Sequence, residues 1–139
     1  MKPEIHSLAK NERLSSKKEI AELFSQNTAF TAYPFKLLFR ENSHDQAIGA
    51  ALLCVVPKKN IKTAVGRNRI KRLIREVWRV NKHDVNRVLT KKNKQINVAV
   101  IFLAHKQVDF TTAEQKINTL LKRLQNTLEE KTDDEKNKN

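Results

Sequence analysis

One segment in the middle of the chain constrains the fold most, because its apolar and charged side chains separate onto two sides of a helix. Advancing about 100° per residue from Asn68, five apolar side chains fall between roughly 140° and 280°: Ile70, Leu73, Ile74, Val77 and Trp78. Four cations fall on the opposite side, between roughly 300° and 40°: Lys71, Arg72, Arg75 and Arg79. The spacing predicts a helix with one face buried and the other cationic.

Two further side chains of this helix invite a functional interpretation. Trp78 lies at the edge of the apolar stripe, so we predict a core side chain and not a platform for stacking bases. Glu76 follows Arg72 by four residues. This spacing predicts a surface ion pair worth about 0.2–0.5 kcal/mol, and not a catalytic carboxylate.

Positive charge is concentrated in the same part of the chain. The 139 residues carry 28 Lys and Arg against 15 Asp and Glu, a net charge of +13. Residues 58–94 hold 14 of these cations and two of the carboxylates, so the segment carries +12 and the remainder only +1. Such a gathered surplus is typical of a surface that binds a polyanion. We therefore predict a nucleic-acid partner; a merely solvated run of charge is the alternative.

Several other classes of protein are disfavoured by the composition. The single cysteine, Cys54, excludes an internal disulfide framework, and the four histidines have no ligand-like spacing. We expect no cofactor or metal bound tightly by the protein, and no catalytic residues in this chain. The longest uncharged apolar run is about 11 residues, and a membrane span needs 18 or more. The protein is expected to be cytoplasmic, without a membrane partner.

Apolar spacing and capping residues predict the remaining elements. Ser15 or Ser16 caps a first helix that carries Ile20, Leu23 and Phe24 and stops near Asn27. Residues 33–40, 47–56 and 96–103 are predicted strands, the second a central strand covered on both faces. Thr111 and Glu114 form a capping box for a last helix. The core stripe of that helix is Ile117, Leu120, Leu121, Leu124 and Leu128.

These elements predict one α+β domain over residues 13–130, with helices against a small sheet. Residues 1–12 show no period and are expected to be a flexible arm. The polar tail, residues 131–139, is expected to be disordered. Residues 81–95 leave two structures open, an extension of the basic helix or an irregular loop.

The predominance of arginine on the basic helix favours phosphate recognition. Its planar guanidinium can hold a phosphate through two parallel hydrogen bonds and stays charged. Structured RNA is favoured over duplex DNA, since side chains reach few base edges in the deep major groove of A-form RNA and recognition depends on shape and phosphates. A DNA-reading helix would more often mix Asn, Gln and Ser with arginine. Composition alone does not decide between the two.

The residues of this helix resemble a known motif. The run Ala64 to Glu76, AVGRNRIKRLIRE, preceded by Lys58 and Lys59, is similar to the motif A-V-x-R-N-R-x-K-R-x-x-R-E of the bacterial ribonuclease P protein subunit. Weaker similarity extends over most of residues 13–125. The resemblance implies a two-layer α-β-β-β-α-β-α sandwich with a four-stranded sheet. It also implies a left-handed β-α-β crossover carrying the basic helix, an exception to the usual right-handed rule.

The resemblance also implies which molecules the chain binds and which component of the complex catalyses the reaction. The chain would bind the RNA subunit of ribonuclease P and precursor tRNA, whose 5′ leader the complex removes. Hydrolysis would be performed by the RNA and its Mg²⁺ ions, so Mg²⁺ is expected in the holoenzyme. Without RNA, the protein is expected to be monomeric.

The resemblance also implies roles for the residues of this chain that occupy the matching positions of the motif. Matched residues would contact the RNA subunit: Lys58, Lys59, Arg67, Asn68, Arg69, Lys71, Arg72, Arg75 and Arg79. A cleft between the first helix and the sheet would hold the single-stranded leader, with Phe24 as a wall. Arg13, Phe35 and Lys36 are further candidates, and core packing is the equal alternative for Phe35. The loop after Lys59 lacks the glycine of many relatives, so its path stays open.

Two other functions are compatible with a basic domain. One is a ribosomal-type RNA-binding protein unconnected to any enzyme. The other is a DNA-binding regulator. It would need a second helix three or four residues before the basic helix, where residues 48–56 predict a strand.

Overall fold

Eight helices and strands make up the computed structural model, which describes residues 12–42 and 48–138. In chain order they are α1 (Lys17–Ser25), β1 (Thr28–Ala32), β2 (Phe35–Asn42), β3 (Gly49–Val55), α2 (Ala64–Asn81), α3 (His83–Lys92), β4 (Gln95–Phe102) and α4 (Phe110–Lys138). The predicted arm, residues 1–12, lies outside the described residues except for Glu12. No helix in the described ranges has the length and apolarity that crossing a membrane requires.

The four strands form one mixed sheet in the order β1-β2-β4-β3. β2 is antiparallel to β1 and to β4, with Leu38 opposite Ala99, whereas β3 runs parallel to β4, with Leu53 opposite Ala99. The chain therefore crosses from β3 through α2 and α3 to its parallel neighbour β4. The α+β class and the four-stranded sheet are confirmed. The left-handed sense of the crossover stays a prediction.

Alternate side chains of the strands point to two faces of the sheet. The face that we call the core face packs against α2, α3 and α4, and its central residues come from β2 and β4: Phe35, Leu37, Phe39, Ile96, Val98, Val100 and Phe102. The other face, which we call the α1 face, forms a smaller core: Leu14, Leu23, Leu38, Ala51 and Ala99. The sheet thus places α1 on one side and the basic helix α2 on the other.

β3 lies at an edge of the sheet, and the prediction that it is central was wrong. Its uniform apolarity has another cause, since Leu52 faces the core and Ala51 faces the α1 face. The outer edge of β3 is partly covered by the segment before α1, where the Leu14 N–H donates to the Leu52 carbonyl at 2.9 Å. The central strand beside it is β4.

α3 adds one helix to the predicted order, which becomes α-β-β-β-α-α-β-α. Val85, Val88 and Leu89 recur at helical spacing and are buried. Asn93 ends the helix with a left-handed φ of 58°, and the Lys94 N–H donates to the Leu89 carbonyl at 2.9 Å. Residues 81–95 are therefore neither a plain extension of α2 nor an irregular loop.

The last helix differs from its prediction at both ends. Asp109, and not Thr111, caps it, because the Thr112 N–H donates to Asp109 Oδ1 at 3.3 Å. The helix continues through Lys138, into the segment expected to be a disordered tail. Glu and Lys in this segment have good helix propensity, which the polar composition alone did not reveal. The core stripe of α4 is confirmed, since all five of its predicted residues are buried.

Candidate nucleic-acid interface

The basic helix α2 starts at a side-chain cap and is held by its apolar stripe. Thr63 precedes the helix, and its Oγ1 accepts a hydrogen bond from the Gly66 N–H at 3.0 Å. Ile70, Ile74 and Val77 are fully buried on the core face, together with Trp78. The predicted orientation of the helix and the core role of Trp78 are therefore confirmed.

Burying this stripe turns the cationic side of α2 toward solvent. Arg72 and Arg75 are exposed, as are Asn68 and Arg69 near the start of the helix, while Lys71 is half-buried. Within the part of the chain that the structure describes, neither Arg72 nor Arg75 forms an ion pair. Two unneutralised guanidinium groups thus stand one turn apart on the surface, where they are available to phosphate groups.

Glu76 pairs with Arg79, whereas the sequence predicted Arg72 as its partner. Nη2 and Nε of Arg79 donate to the two carboxylate oxygens at 2.7 and 3.3 Å. This hydrogen bonding from Arg79 to Glu76 raises the pKa of the guanidinium above its ordinary value. Arg79 is half-buried and already bound to a carboxylate, so it is less available to phosphate than Arg72 or Arg75.

Arg67, predicted to contact RNA, donates to the backbone of the preceding loop. Its Nη1 lies 3.0 Å from the Ile61 carbonyl and 2.9 Å from the Lys62 carbonyl. At the same loop, Asn60 is buried and its Nδ2 donates to the Phe102 carbonyl at 2.9 Å. These bonds fix the loop path that the sequence left open. Lys58 and Lys59 are exposed on the loop.

Cys54 shows how closely α2 packs against β3. Burial raises the pKa of the Cys54 thiol to about 11, while the nearby charges of Arg75 and Lys71 lower it. The basic helix therefore crosses the edge strand with these two cations beside it. The thiol stays protonated near neutral pH, where it is a poor nucleophile.

The predicted leader cleft is divided by the sheet. Phe24 on α1 is 44% exposed, and Lys36 is half-buried on the α1 face, since it alternates with the core-facing Phe35 and Leu37. Arg13 is exposed at the edge of β3, where it pairs with Leu52. An ion pair between Arg40 and Glu22 at 3.5 Å ties α1 to β2. Phe24 and Lys36 therefore share the α1 side of the molecule, whereas the pairing of Arg13 with the core-facing Leu52 places Arg13 toward the other side of the sheet.

Phe35 does not belong to that cleft. It is 0% exposed on the core face, and its ring centroid lies 5.5 Å from that of Phe102. The prediction of Phe35 as a cleft residue is wrong, because the strand register turns it away from α1. Core packing, the alternative that the sequence left equal, is its role.

A second group of cations lies beside the start of α2, and it joins the predicted Lys59 to two lysines that the sequence did not single out. Lys59 and Lys62 of the β3–α2 loop and Lys106 of the β4–α4 loop line a cavity of about 360 Å³. Lys62 and Lys106 are 44 positions apart in the sequence, and no local pattern links them. Only the pairing of β3 with β4 brings the two loops together.

The described residues offer no site for a tightly held metal ion. Among them, no group of three or more His, Cys, Asp or Glu side chains could bind one. The donor set of this surface is cationic, which is the opposite of what Mg²⁺ needs.

Comparison with known proteins agrees with the motif on α2. The family model described as Ribonuclease P matches residues 8–125, which contain every element from α1 to β4 and half of α4. The chain belongs to the ribonuclease P protein family. Membership makes it a protein component of a ribonuclease that processes tRNA, with the ribonuclease P RNA as partner.

Individual relatives support the assignment in sequence and in fold. The ribonuclease P protein component of Porphyromonas gingivalis strain ATCC 33277 is 36% identical over 122 residues, covering 88% of this chain and 89% of the relative. The RNase P protein of Thermotoga maritima superposes with a TM-score of 0.64 at 31% identity, covering 81% of this chain and 96% of its own. The Staphylococcus aureus RNase P protein, 22% identical, shares the fold with a TM-score of 0.66 over 81% and 94% of the two chains.

Proposed function

We propose that this chain is the non-catalytic protein subunit of ribonuclease P, which binds the catalytic RNA and the 5′ leader of precursor tRNA in the cytoplasm. The observation that carries the proposal is the exposed cationic face of α2, backed by the buried Ile70, Ile74, Val77 and Trp78 on the same helix. Hydrolysis of the phosphodiester bond belongs to the RNA and its Mg²⁺ ions. The protein, monomeric before assembly, contributes binding and orientation.

The surface of α2 suits a folded RNA. Arg72 and Arg75 lie one turn apart on a rigid helix, and each guanidinium can hold a phosphate bidentately. A surface with a surplus of positive charge attracts RNA at long range, and its contacts to the sugar-phosphate backbone need no base sequence. Such a surface recognises the shape of one RNA through the positions of its phosphates.

The α1 side supplies a second surface, suited to a single strand. Phe24 is 44% exposed, and Lys36 adds positive charge on the same side of the sheet. Bases of any identity stack on an aromatic ring while cations neutralise the backbone. A leader of variable sequence can bind there without base-specific hydrogen bonds.

A ribosomal-type protein and a DNA-binding regulator remain as alternatives of other classes. The element before α2 is strand β3, joined by a loop, so the pair of helices that many DNA-binding regulators insert into the major groove is not formed at α2. The structural neighbours reported above are RNase P proteins and not ribosomal proteins.

Reconstitution tests the proposed function directly. The purified chain is added to a bacterial ribonuclease P RNA at low Mg²⁺, and cleavage of precursor tRNA at the 5′ end is measured. We expect cleavage only when both the protein and the RNA are present. Cleavage by the protein without the RNA would make this chain a nuclease and contradict its non-catalytic role. Absence of any stimulation would favour the ribosomal-type alternative.

A further inference from the structure

The cavity beside the start of α2 has the features of a built anion site. It is formed by the β3–α2 loop, residues 56–63, and the β4–α4 loop, residues 103–109. Lys59, Lys62, His105 and Lys106 contribute to its lining, and no acidic residue lines it in the described part of the chain. Three lysines line one concavity of about 360 Å³, so its lining is positively charged and attracts an anion.

Buried hydrogen bonds hold the first wall of this cavity in place. Asn60 anchors the β3–α2 loop to the end of β4 through the Phe102 carbonyl, and Arg67 binds the next two carbonyls of the loop. Ile61 is buried between them. The lysines on this loop therefore project from a backbone whose position is set before any ligand arrives, which lowers the cost of binding.

The β4–α4 loop forms the second wall of the cavity, and a hydrogen bond connects it to the start of α2. Gln107 Nε2 donates to the Gly66 carbonyl at 3.2 Å. A Cβ on Gly66 would lie 2.8 Å from Ile61 Cγ2 and 3.0 Å from Gln107 Nε2, so the two loops meet over this glycine without spare room. The cavity is a fixed feature of the fold and not a gap between two independent loops.

We propose that this cavity binds a backbone phosphate of the ribonuclease P RNA, with Lys62 and Lys106 as its main cations. The inference rests on the proposed function and extends the RNA contact surface from the face of α2 around its N-terminal end. Neither lysine belongs to the α2 motif. Their ammonium groups act as point charges toward a phosphate.

Matched charge variants test the site. Lys62→Gln with Lys106→Gln removes two charges at the cavity, and Lys91→Gln with Lys116→Gln removes two exposed charges on α3 and α4. Affinity for a bacterial ribonuclease P RNA is measured as a function of salt for both variants and for the wild-type chain. We expect the cavity variant to bind several-fold more weakly, with a salt slope shallower by about one, and the control to change less than two-fold. Equal changes in the two variants would overturn the site.

The same experiment separates this inference from the proposed function. If Arg72→Ala with Arg75→Ala weakens binding while the cavity variant does not, the site is wrong and the proposed function stands. If the wild-type chain fails to bind the RNA, both are wrong.

Inorganic phosphate is the probe that distinguishes an RNA site from a site for a small anion. We expect phosphate to shift the amide NMR signals of residues 59–63 and 105–107 in the wild-type chain and not in the cavity variant. Phosphate binding together with unchanged RNA affinity in the cavity variant would assign the cavity to a small anion and overturn the RNA contact.

Discussion

At the scale of single residues, arginines of the same motif differ in what their guanidinium groups contact. Arg67 donates to two carbonyls of its own chain, whereas Arg72 is exposed and has no ion-pair partner among the described residues. A charge bound to the backbone of a loop positions that loop, and a charge in solvent is available to a ligand. We therefore expect Arg67 to contribute to stability and Arg72 to contribute to RNA binding.

Arg67→Ala is expected to lower the free energy of unfolding by about 1–2 kcal/mol, because two backbone acceptors lose a charged donor. Arg72→Ala is expected to stay within about 0.5 kcal/mol of the wild type, as surface substitutions usually do. Urea denaturation followed by circular dichroism measures both. A stability loss for Arg72→Ala as large as that for Arg67→Ala would contradict the assigned difference.

Asp109 is a residue whose contribution depends on pH. Hydrogen bonds from Thr112, first its side chain and then its backbone N–H, hold the pKa of Asp109 below its ordinary value of 3.8. A carboxyl whose pKa is lowered by folding stabilises the fold above its unfolded pKa and loses that contribution as the pH falls through the folded one. Its cap is therefore fully effective at neutral pH and fades below about pH 4.

Asp109→Ala is expected to lower the melting temperature at pH 7, since α4 loses its N-terminal cap. The difference from the wild type should shrink as the pH is lowered below 4. Asp109→Asn keeps a capping side chain that does not titrate, so it serves as the control and should stay close to the wild type at pH 7. Thermal melts between pH 3 and 7 measure these differences. A melting-temperature difference between Asp109→Ala and the wild type that does not change with pH would contradict the proposed dependence of the cap on ionised Asp109.

At the scale of elements, sequence patterns predict which face of a helix is buried. They do not predict as well which strands are neighbours in the sheet. The α4 stripe and four of the five residues of the α2 stripe are buried as predicted, while Leu73 is half-buried, because helical periodicity indicates which side of a helix is buried. The position of β3 at the sheet edge is not predictable from its own residues, since a strand covered on both faces is apolar wherever it lies. α3 was missed because its short stripe follows α2 within a run of lysines.

The candidate site shows the same division between local and long-range information. The residues of α2 were found from a continuous motif, but the exclusion of Phe35 required the strand register and the partnership of Arg67 required the loop path. Lys62 and Lys106 meet only through tertiary structure. Sequence predicts which residue types bind phosphate, and the fold decides which of them reach it.

Gly66→Ala tests how tightly the start of α2 packs against the loops. In an open helix the exchange would stabilise by about 1 kcal/mol through helix propensity. Here an added Cβ would lie 2.8 Å from Thr63 Oγ1, the atom that caps the helix. We expect net destabilisation in urea denaturation. Gly66→Ala with a melting temperature above that of the wild type would show that the loops have room to move.

At the scale of the whole molecule, the sheet separates two surfaces. α2 packs on the core face of the sheet and α1 packs on the opposite face. Strand β4 lies inside the sheet that separates them. Phe24 on α1 and Arg72 on α2 lie on opposite sides of the sheet, so the effects of substituting them should add independently. One surface can therefore hold the RNA subunit while the other holds the leader.

Phe24→Ala is expected to weaken binding of precursor tRNA to the assembled holoenzyme and to leave mature tRNA, which has no leader, unaffected. The loss of stacking on one base predicts roughly 1–3 kcal/mol. Binding assays with the two RNAs measure the difference. Equal losses for precursor and mature tRNA would contradict a leader cleft on the α1 side.

The salt dependence of binding to the ribonuclease P RNA tests the central claim most directly, because it counts the phosphates that the cationic face neutralises. With about six phosphates, the logarithm of the association constant should fall against the logarithm of salt concentration with a slope of about −4 to −5. Arg72→Ala with Arg75→Ala should make the slope shallower by about two. A flat dependence for the wild-type chain, or an unchanged slope for the double variant, would contradict the account.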